Sequence, residues 1–412
     1  MDAFSRTAKG TSRKKLESKN RAMRSKLPPS PPSIFSRMSA LAREHKAINL
    51  GQGFPDFDCD PELKKFIKRY LDEGHNQYCP MAGTIELRTT LAKKIEFSYG
   101  KKINPETELC ITAGATQALN TANQTFVHQG DEVIIVEPAY DSYRPSIKMS
   151  GGTVVAYQIT APSYKIDWNR FGELISDKTS MIIINTPHNP TGTTLGKNDL
   201  LALQNLVENK DIVVLSDEVY EHLIYDGAQH QSVMRFPQLY QQSMATFSFG
   251  KTLHATGWKL GYIVGPPHLM EAYKNLHQWV IFSANSFVQR GIAEYLETPS
   301  NYQGLSSFFQ TKRDFLIQGM EQTALKPITC GGTYFQLYDY SEVSDLEDLQ
   351  FSEFLIKEYG VATIPLSPFY KEPTGDKVVR ICFAKKEATI EAAASQLSKL
   401  KDYGLEVHRL DM

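Results

Sequence analysis

TFSFGKTLHATGWK, residues 246–259, is the stretch that decides how the rest of the chain reads. It opens as an apolar run of β-branched and aromatic residues, breaks at Gly250, and places Lys251 immediately after the break. The lysine is therefore expected just past a strand end, on a turn, with Ser248, Thr252 and Thr256 close by and Lys259 closing the stretch. A buried lysine can act as a nucleophilic amine and form a Schiff base with a carbonyl. An arbitrary lysine is more often a surface residue whose stem lies on apolar neighbours. The choice depends on what the other strand ends supply.

Outward from this stretch, short apolar runs alternate with helical patterns. ELCIT (108–112), EVIIV (132–136), MIII (181–184), DIVVL (211–215), TFSF (246–249) and LGYIVG (260–265) read as strands. Continuous apolar strands separated by helices indicate an α/β fold with a mostly parallel central sheet, flanked by helices on both faces. Helices are expected at 34–45, 61–73 and 84–98. From about residue 305 the pattern changes. A helix over 310–325, strands at 331–340, 361–367 and 378–384, and helices at 351–360 and 387–400 read as a smaller α+β unit. The expected division is a large domain over 65–304 and a small domain built from 34–64 and 305–412. Residues 1–33, a basic head followed by the Pro-rich linker KLPPSPPS, are expected to be disordered.

Composition narrows the function. A chain of 412 residues is long for one core. Hydrophobic residues make up 41% and charged residues 22%, with no apolar run long enough to span a bilayer, so no membrane partner is expected. Residues 1–26 carry nine Lys/Arg against two Asp/Glu, which leaves the remainder at −8 within a total of −1. A net acidic body argues against nucleic acid as the principal partner. The five cysteines are scattered without a CxxC pair or metal-ligand spacing, which fits reduced thiols in a cytoplasmic protein and no metal site. The head lacks the apolar segment of a secretory signal; a transit peptide and a disordered leader both fit it.

Ligands of open parallel sheets bind beyond the carboxyl ends of the strands. After the strand at 108–112 comes Thr112-Ala113-Gly114-Ala115-Thr116-Gln117, whose small residues would open a helix toward an anion; a plain tight turn fits equally well. No dinucleotide or Walker-type glycine pattern is present. Tyr140 in EPAYDSY could stack on a flat ring, and Asn189 in NTPHNPTG stands between two prolines that fix its direction. Asp217 and Tyr220 follow IVVL; a carboxylate there is buried and needs either an internal cation or several donors. Lysine for an aldehyde, aspartate for a ring nitrogen and an anion cradle together match pyridoxal phosphate.

The chain resembles a class I, fold type I pyridoxal-phosphate aminotransferase over residues 34–402. The resemblance is carried by NLGQGFPDFD, NQYCPMAG, TAGATQAL, GDEVIIVEPAYDSY, NTPHNPTG, SDEVYEHL, SFGKTLHATGWKLGY, GTYF and VRICFAKKEAT. It is similar in particular to the branch of bacterial methionine aminotransferases and kynurenine–glutamine transaminases. The resemblance implies that Lys251 forms the cofactor aldimine and then moves the substrate proton. It implies that Asp217 pairs with the ring nitrogen, that Asn189 and Tyr220 bond the phenolic oxygen, and that Tyr140 stacks on the ring. Ala115, Thr116, Ser248 and Lys259 would hold the phosphate, joined by Tyr78 from the neighbouring subunit of a homodimer with composite sites. Arg380 would clamp the substrate carboxylate, with Gly53 against the substrate, Phe35 as a lid, and Phe282 lining the side-chain pocket from the partner. The implied reaction is ping-pong transamination between an L-amino acid, with methionine, glutamine and aromatic donors favoured, and a 2-oxo acid. A cysteine-conjugate or cystathionine-type β-lyase on the same cofactor and, remotely, a non-catalytic aminotransferase-like regulator are the alternatives.

Overall fold

The computed structural model describes residues 26–27 and 31–400; the expected head and linker fall almost entirely outside these residues. Numbered in chain order, the strands are β1 (Ile48–Asn49), β2 (Leu109–Thr112), β3 (Glu132–Glu137), β4 (Thr153–Gln158), β5 (Thr179–Asn185) and β6 (Val213–Asp217), followed by β7 (Ser243–Ser248) and β8 (Gly261–Val264). After them come β9 (Lys326–Pro327), β10 (Phe335–Asp339), β11 (Val361–Ala362), β12 (Ile364–Pro365) and β13 (Val378–Cys382).

Seven strands form the central sheet in the order β2-β8-β7-β6-β5-β3-β4. All pairings are parallel except those of β8, which runs antiparallel to both β2 and β7. Successive residues of the strands enter two separate cores. Ile134, Ile182 and Ile184 pack on one face, and Val133, Ile135, Met181 and Ile183 on the other. This period-2 alternation with both faces buried is why the strands read as unbroken apolar runs. The parallel strands end on one rim. Because β8 runs the other way, its start lies on that rim, and this brings Lys259 and Leu260 beside the ends of β2 and β7.

One strand of the sheet is absent from the sequence expectations: β4, TVVAYQ, an edge strand that pairs only with β3 and is half-buried along most of its length. The single strand expected at 361–367 is two short pieces in different sheets. β11 pairs with β1, whereas β12 joins the antiparallel sheet β12-β13-β10-β9. The β1–β11 pairing draws the early and late parts of the chain together, and the Cys382 N–H continues it by donating to Leu50 O. Residues 51–53 are thereby laid beside Arg380, which sits in β13 opposite Leu337 and Ile364.

Helix ends follow their local chemistry. Asp60 caps Pro61–Asp72 by accepting from Glu62 N at 2.7 Å, and Thr84 caps Ile85–Tyr99. Helix Ala115–Phe126 has no such cap. Its N-cap is Gly114 at φ 79°, and no side chain covers the first N–H groups, which open on the rim. The late helices expected at 310–325 and 387–400 are found as Leu305–Met320 and Glu387–Leu397.

Candidate active site

A cavity of about 240 Å³ lies on the rim of the central sheet. Its lining includes Phe35, Gly53, Ala115, Thr116, Tyr140, Asn189, Asp217, Tyr220, Ser248, Lys251, Lys259 and Arg380, twelve of the fourteen residues to which the resemblance assigns a role. Tyr78 and Phe282 are not among them. Their rings meet edge to face at 5.2 Å on the surface, 81% and 57% exposed, so one chain alone does not bring them to its own site.

Lys251 stands in a single helical turn, Phe249–Thr252, and not on an open turn as the break at Gly250 suggested. Gly250 lets this turn start against the chain that returns to it, for a Cβ there would lie 2.9 Å from Thr256 Cα. The Lys251 Nζ donates to Tyr334 OH at 2.8 Å and Gly53 O at 3.3 Å. Burial is the main cause that pushes its ammonium down to about 8, with Arg380 and Lys259 acting in the same direction and Asp217 and Cys382 against it.

Asp217 ends β6 and is 4% exposed. Among the described residues it forms no ion pair. Tyr143 OH donates to Oδ2 at 2.6 Å and Val219 N–H to Oδ1 at 3.3 Å. Burial outweighs these donors and pushes the carboxyl up to about 6. Nearby Glu221, by contrast, carries the internal ion pair, with Lys94 Nζ at 2.8 Å. Tyr143 is not foreseen in the sequence. It is the second tyrosine of EPAYDSY, and only the helix Tyr143–Ser150 that it opens turns it toward β6.

Asn189 is aimed by more than its flanking prolines. Its N–H donates to Asn185 Oδ1 at 2.8 Å, and Asn185 Nδ2 donates to Asp217 O at 2.8 Å, which ties the loop to both strand ends. Asn189 Oδ1 accepts from Arg380 at 2.7 Å, which leaves its amide N–H groups for the cavity. Tyr220 is buried, and burial raises its phenol well above the ordinary value.

Arg380 is 1% exposed. Its guanidinium donates to Asn189 Oδ1 and to Gly51 O at 3.1 Å, lies 3.8 Å from the Phe335 ring centroid, and leaves Nε without a partner. Among the described residues it forms no ion pair. Burial pushes its pKa down to about 10. Phe35 and Phe369 complete the aromatic wall, with Phe35 5.2 Å from the guanidinium. Phe335 is likewise unforeseen, although it follows Tyr334 in the same GTYF motif.

This donor set fits pyridoxal phosphate. An uncapped helix N-terminus, with the Lys259 amine 3.7 Å from where a Gly114 Cβ would stand, suits a phosphate. Asp217 is a buried acceptor without a cation, as a protonated ring nitrogen requires. Tyr140, half-buried beside the cavity, offers a ring face.

Residues 45–397 match the sequence profile of the family described as aminotransferase class I and II. The methionine aminotransferase of Escherichia coli strain K12 is 44% identical over 91% of this chain and 98% of its own. Human kynurenine–oxoglutarate transaminase 1 is 33% identical over 88% and 94%. Among solved structures, an E. coli protein whose reactivity identified a methionine aminotransferase function superposes with a TM-score of 0.90 at 44% identity, covering 92% of this chain and 99% of that one. The N-succinyldiaminopimelate aminotransferase of Mycobacterium tuberculosis gives 0.88 at 33%, covering 92% and 100%. The chain belongs to the class I and II aminotransferases, with the type I fold and pyridoxal phosphate as cofactor. These relatives do not favour the β-lyase alternative. No helix among the described residues is long and apolar enough to cross a membrane.

The Asp217 carboxyl gives a pH test. In the folded, cofactor-free protein it titrates near 6; in the unfolded chain it titrates near the ordinary carboxyl value of 3.8. Between these values the folded state holds a proton that the unfolded state has released, so this group's destabilisation is complete above pH 6 and fades as pH falls toward 4. Asp217→Asn is therefore expected to raise the Tm of cofactor-free protein at pH 7.5, by a margin that shrinks as pH drops below 6, while weakening cofactor binding. Thermal unfolding across pH checks this, and a margin independent of pH contradicts it.

Proposed function

We propose that the enzyme transaminates an uncharged, bulky L-amino acid of the methionine, glutamine or aromatic type against a 2-oxo acid, by a ping-pong cycle. The observation that carries this reading is Arg380: a buried guanidinium with no carboxylate of its own, walled by aromatic rings, on the same cavity as Lys251. It is an anion receptor that the fold supplies with no internal anion. A planar guanidinium accepts a carboxylate as a bidentate pair, and its desolvated setting strengthens that pair. Among the described residues no second arginine lines the cavity for a distal carboxylate, and the lining near Arg380 is Phe35 and Phe335. The names of the E. coli and human relatives, with methionine and kynurenine as substrates, support the same donor class.

Within this reading each residue has a task. Lys251 would hold the cofactor through its aldehyde and, as a free amine, would accept the proton from the substrate Cα. Asp217 keeps the ring nitrogen protonated, Asn189 and Tyr220 bond the phenolic oxygen, and Tyr140 supports the ring face. The helix at Ala115 and Thr116, with Ser248 and Lys259, holds the phosphate. Bound there, the cofactor supplies the electron sink for the Cα carbanion. Gly53 leaves room beside the substrate; a Cβ at this position would stand 2.8 Å from Phe335 Cζ. The small domain, in this reading 34–64 with the described part of 305–412, brings Arg380 to the large domain's rim; residues 401–412 of the expected division lie outside the described residues.

Tyr78 and Phe282 enter the proposal as the partner's contribution to a composite site in a homodimer. Their support is the exposed aromatic pair itself, together with Trp279, 82% exposed and three residues before Phe282 in sequence, since clustered exposed aromatics mark an interaction face.

Two measurements test the reading. Arg380→Ala is expected to lower kcat/KM for methionine by at least about a hundredfold, the scale of a lost buried charge-assisted bidentate contact, while cofactor loading read by absorbance stays intact. Loss of cofactor with the amino acid affinity unchanged would remove Arg380 from the substrate site. Hybrid dimers carrying Tyr78→Phe in one subunit and Lys251→Ala in the other separate the two kinds of site. A composite arrangement pairs the one remaining Lys251 with the unsubstituted Tyr78 of the partner subunit, so activity survives. Activity lost in that hybrid contradicts the arrangement.

A further inference from the structure

The Lys251 amine is held by two hydrogen bonds that the roles above do not use. Nζ donates to Tyr334 OH at 2.8 Å and to Gly53 O at 3.3 Å, and Tyr334 OH donates its own proton to Gly53 O at 2.6 Å. The three atoms close a triangle. Because the Tyr334 proton is committed to Gly53 O, its oxygen can only accept from the amine. A neutral amine nitrogen has four directions: its bond to Cε, two N–H bonds and one lone pair. Tyr334 OH and Gly53 O are hydrogen-bonded to each other and so lie on one side of the nitrogen, which leaves its remaining directions, the lone pair among them, to the cavity that Lys251 lines.

Both acceptors are fixed from behind. Tyr334 is fully buried, with its ring edge to face against Tyr220 at 5.2 Å and Phe335 at 4.8 Å. The carbonyls on either side of Gly53, those of Gln52 and Phe54, accept from Lys385 Nζ at 3.3 and 2.8 Å, and Lys385 is only 3% exposed. The loop is thus pinned at both neighbours, with the middle carbonyl turned to the lysine. A reacting group held by side chains that are themselves locked loses little freedom when it reacts.

We infer that Tyr334 is a positioning residue for Lys251: with the Gly53 carbonyl it forms a berth that holds the free ε-amine from one side and leaves its other side, lone pair included, to the cavity. The inference rests on Lys251 being the carbonyl-reactive amine. The berth would act whenever the ε-amine is free, holding it beside the cavity where the cofactor would bind. The charged and titratable groups that face the amine are Tyr334, Tyr220, Asp217, Arg380, Lys259 and Cys382, and Tyr334→Phe deletes only the first of them.

The test uses cofactor-free protein, formaldehyde and cyanoborohydride over pH 6–10, with methylation of Lys251 and Lys259 read by peptide mass spectrometry in the same molecules. Tyr334→Phe keeps the ring and deletes the hydroxyl. The high-pH plateau of the Lys251-to-Lys259 rate ratio is expected to fall about three- to tenfold, the worth of one neutral hydrogen bond. The Lys251 midpoint is expected to move down, because the lost acceptor favoured the charged amine. Lys385→Met loosens the Gly53 loop from its far side and is expected to lower the same ratio, which keeps the test open if Tyr334→Phe folds poorly. An unchanged ratio, an equal fall at both lysines, or an upward midpoint would overturn the proposal. No step of this readout needs transamination, so a dead enzyme with a lowered ratio sinks the substrate reading alone, and an active one with an unchanged ratio sinks the berth alone.

Discussion

Three ionisable groups share one desolvated rim without forming an ion pair with one another. Asp217 is pushed up to about 6, Lys251 down to about 8 and Arg380 down to about 10, each mainly by burial. A folded chain that buries charge normally pairs it. Here each group instead receives neutral partners: a tyrosine and a backbone N–H for Asp217, a tyrosine and a carbonyl for Lys251, an amide and a carbonyl for Arg380. The fold keeps these charges apart so that a ligand can complete them, and the displaced titrations are the physical trace of that incomplete pairing.

The scaffold beneath shows the opposite habit. Glu221 accepts from Lys94, Tyr99 and Tyr262, and Glu218 accepts from Ser216, His230 and Val233 N–H. Burial alone would push the Glu221 carboxyl up, but Lys94, His222 and Tyr99 outweigh it and hold the carboxyl down near 2. These satisfied carboxylates each directly follow Asp217 or Tyr220 in sequence, so the backbone that presents the two is anchored between and after them by groups whose hydrogen bonds are complete. Rigid support below and incomplete pairing above are the division of labour that a preorganised site requires.

Much of this is legible in the sequence, because a parallel sheet buried on both faces writes its strands as unbroken apolar runs, and ligands meet such sheets at the strand ends. Lys251, Asp217, Asn189 and Tyr140 follow directly from that rule. Lys259 does so for a reason the sequence hides: β8 runs antiparallel, and strand direction leaves no mark on composition. β4 escapes notice because a half-buried edge strand loses the continuous apolar signal, and the stretch at 361–367 reads as one strand because the change of partner sheet at Thr363 breaks no pattern. Tyr143, Asn185 and the Lys251 contact of Tyr334 depend on side-chain directions that only tertiary packing sets. Tyr78 and Phe282 come from resemblance alone, and a single chain leaves them on its surface.

The proposed function requires that the amine in the turn after β7, and no other lysine of the cavity, bond the cofactor aldehyde. Borohydride reduction of cofactor-loaded protein, followed by peptide mass mapping, reads that bond out at residue level. The pyridoxyl mass is expected on Lys251 alone. The same mass on Lys259, with Lys251 unmodified, would contradict it.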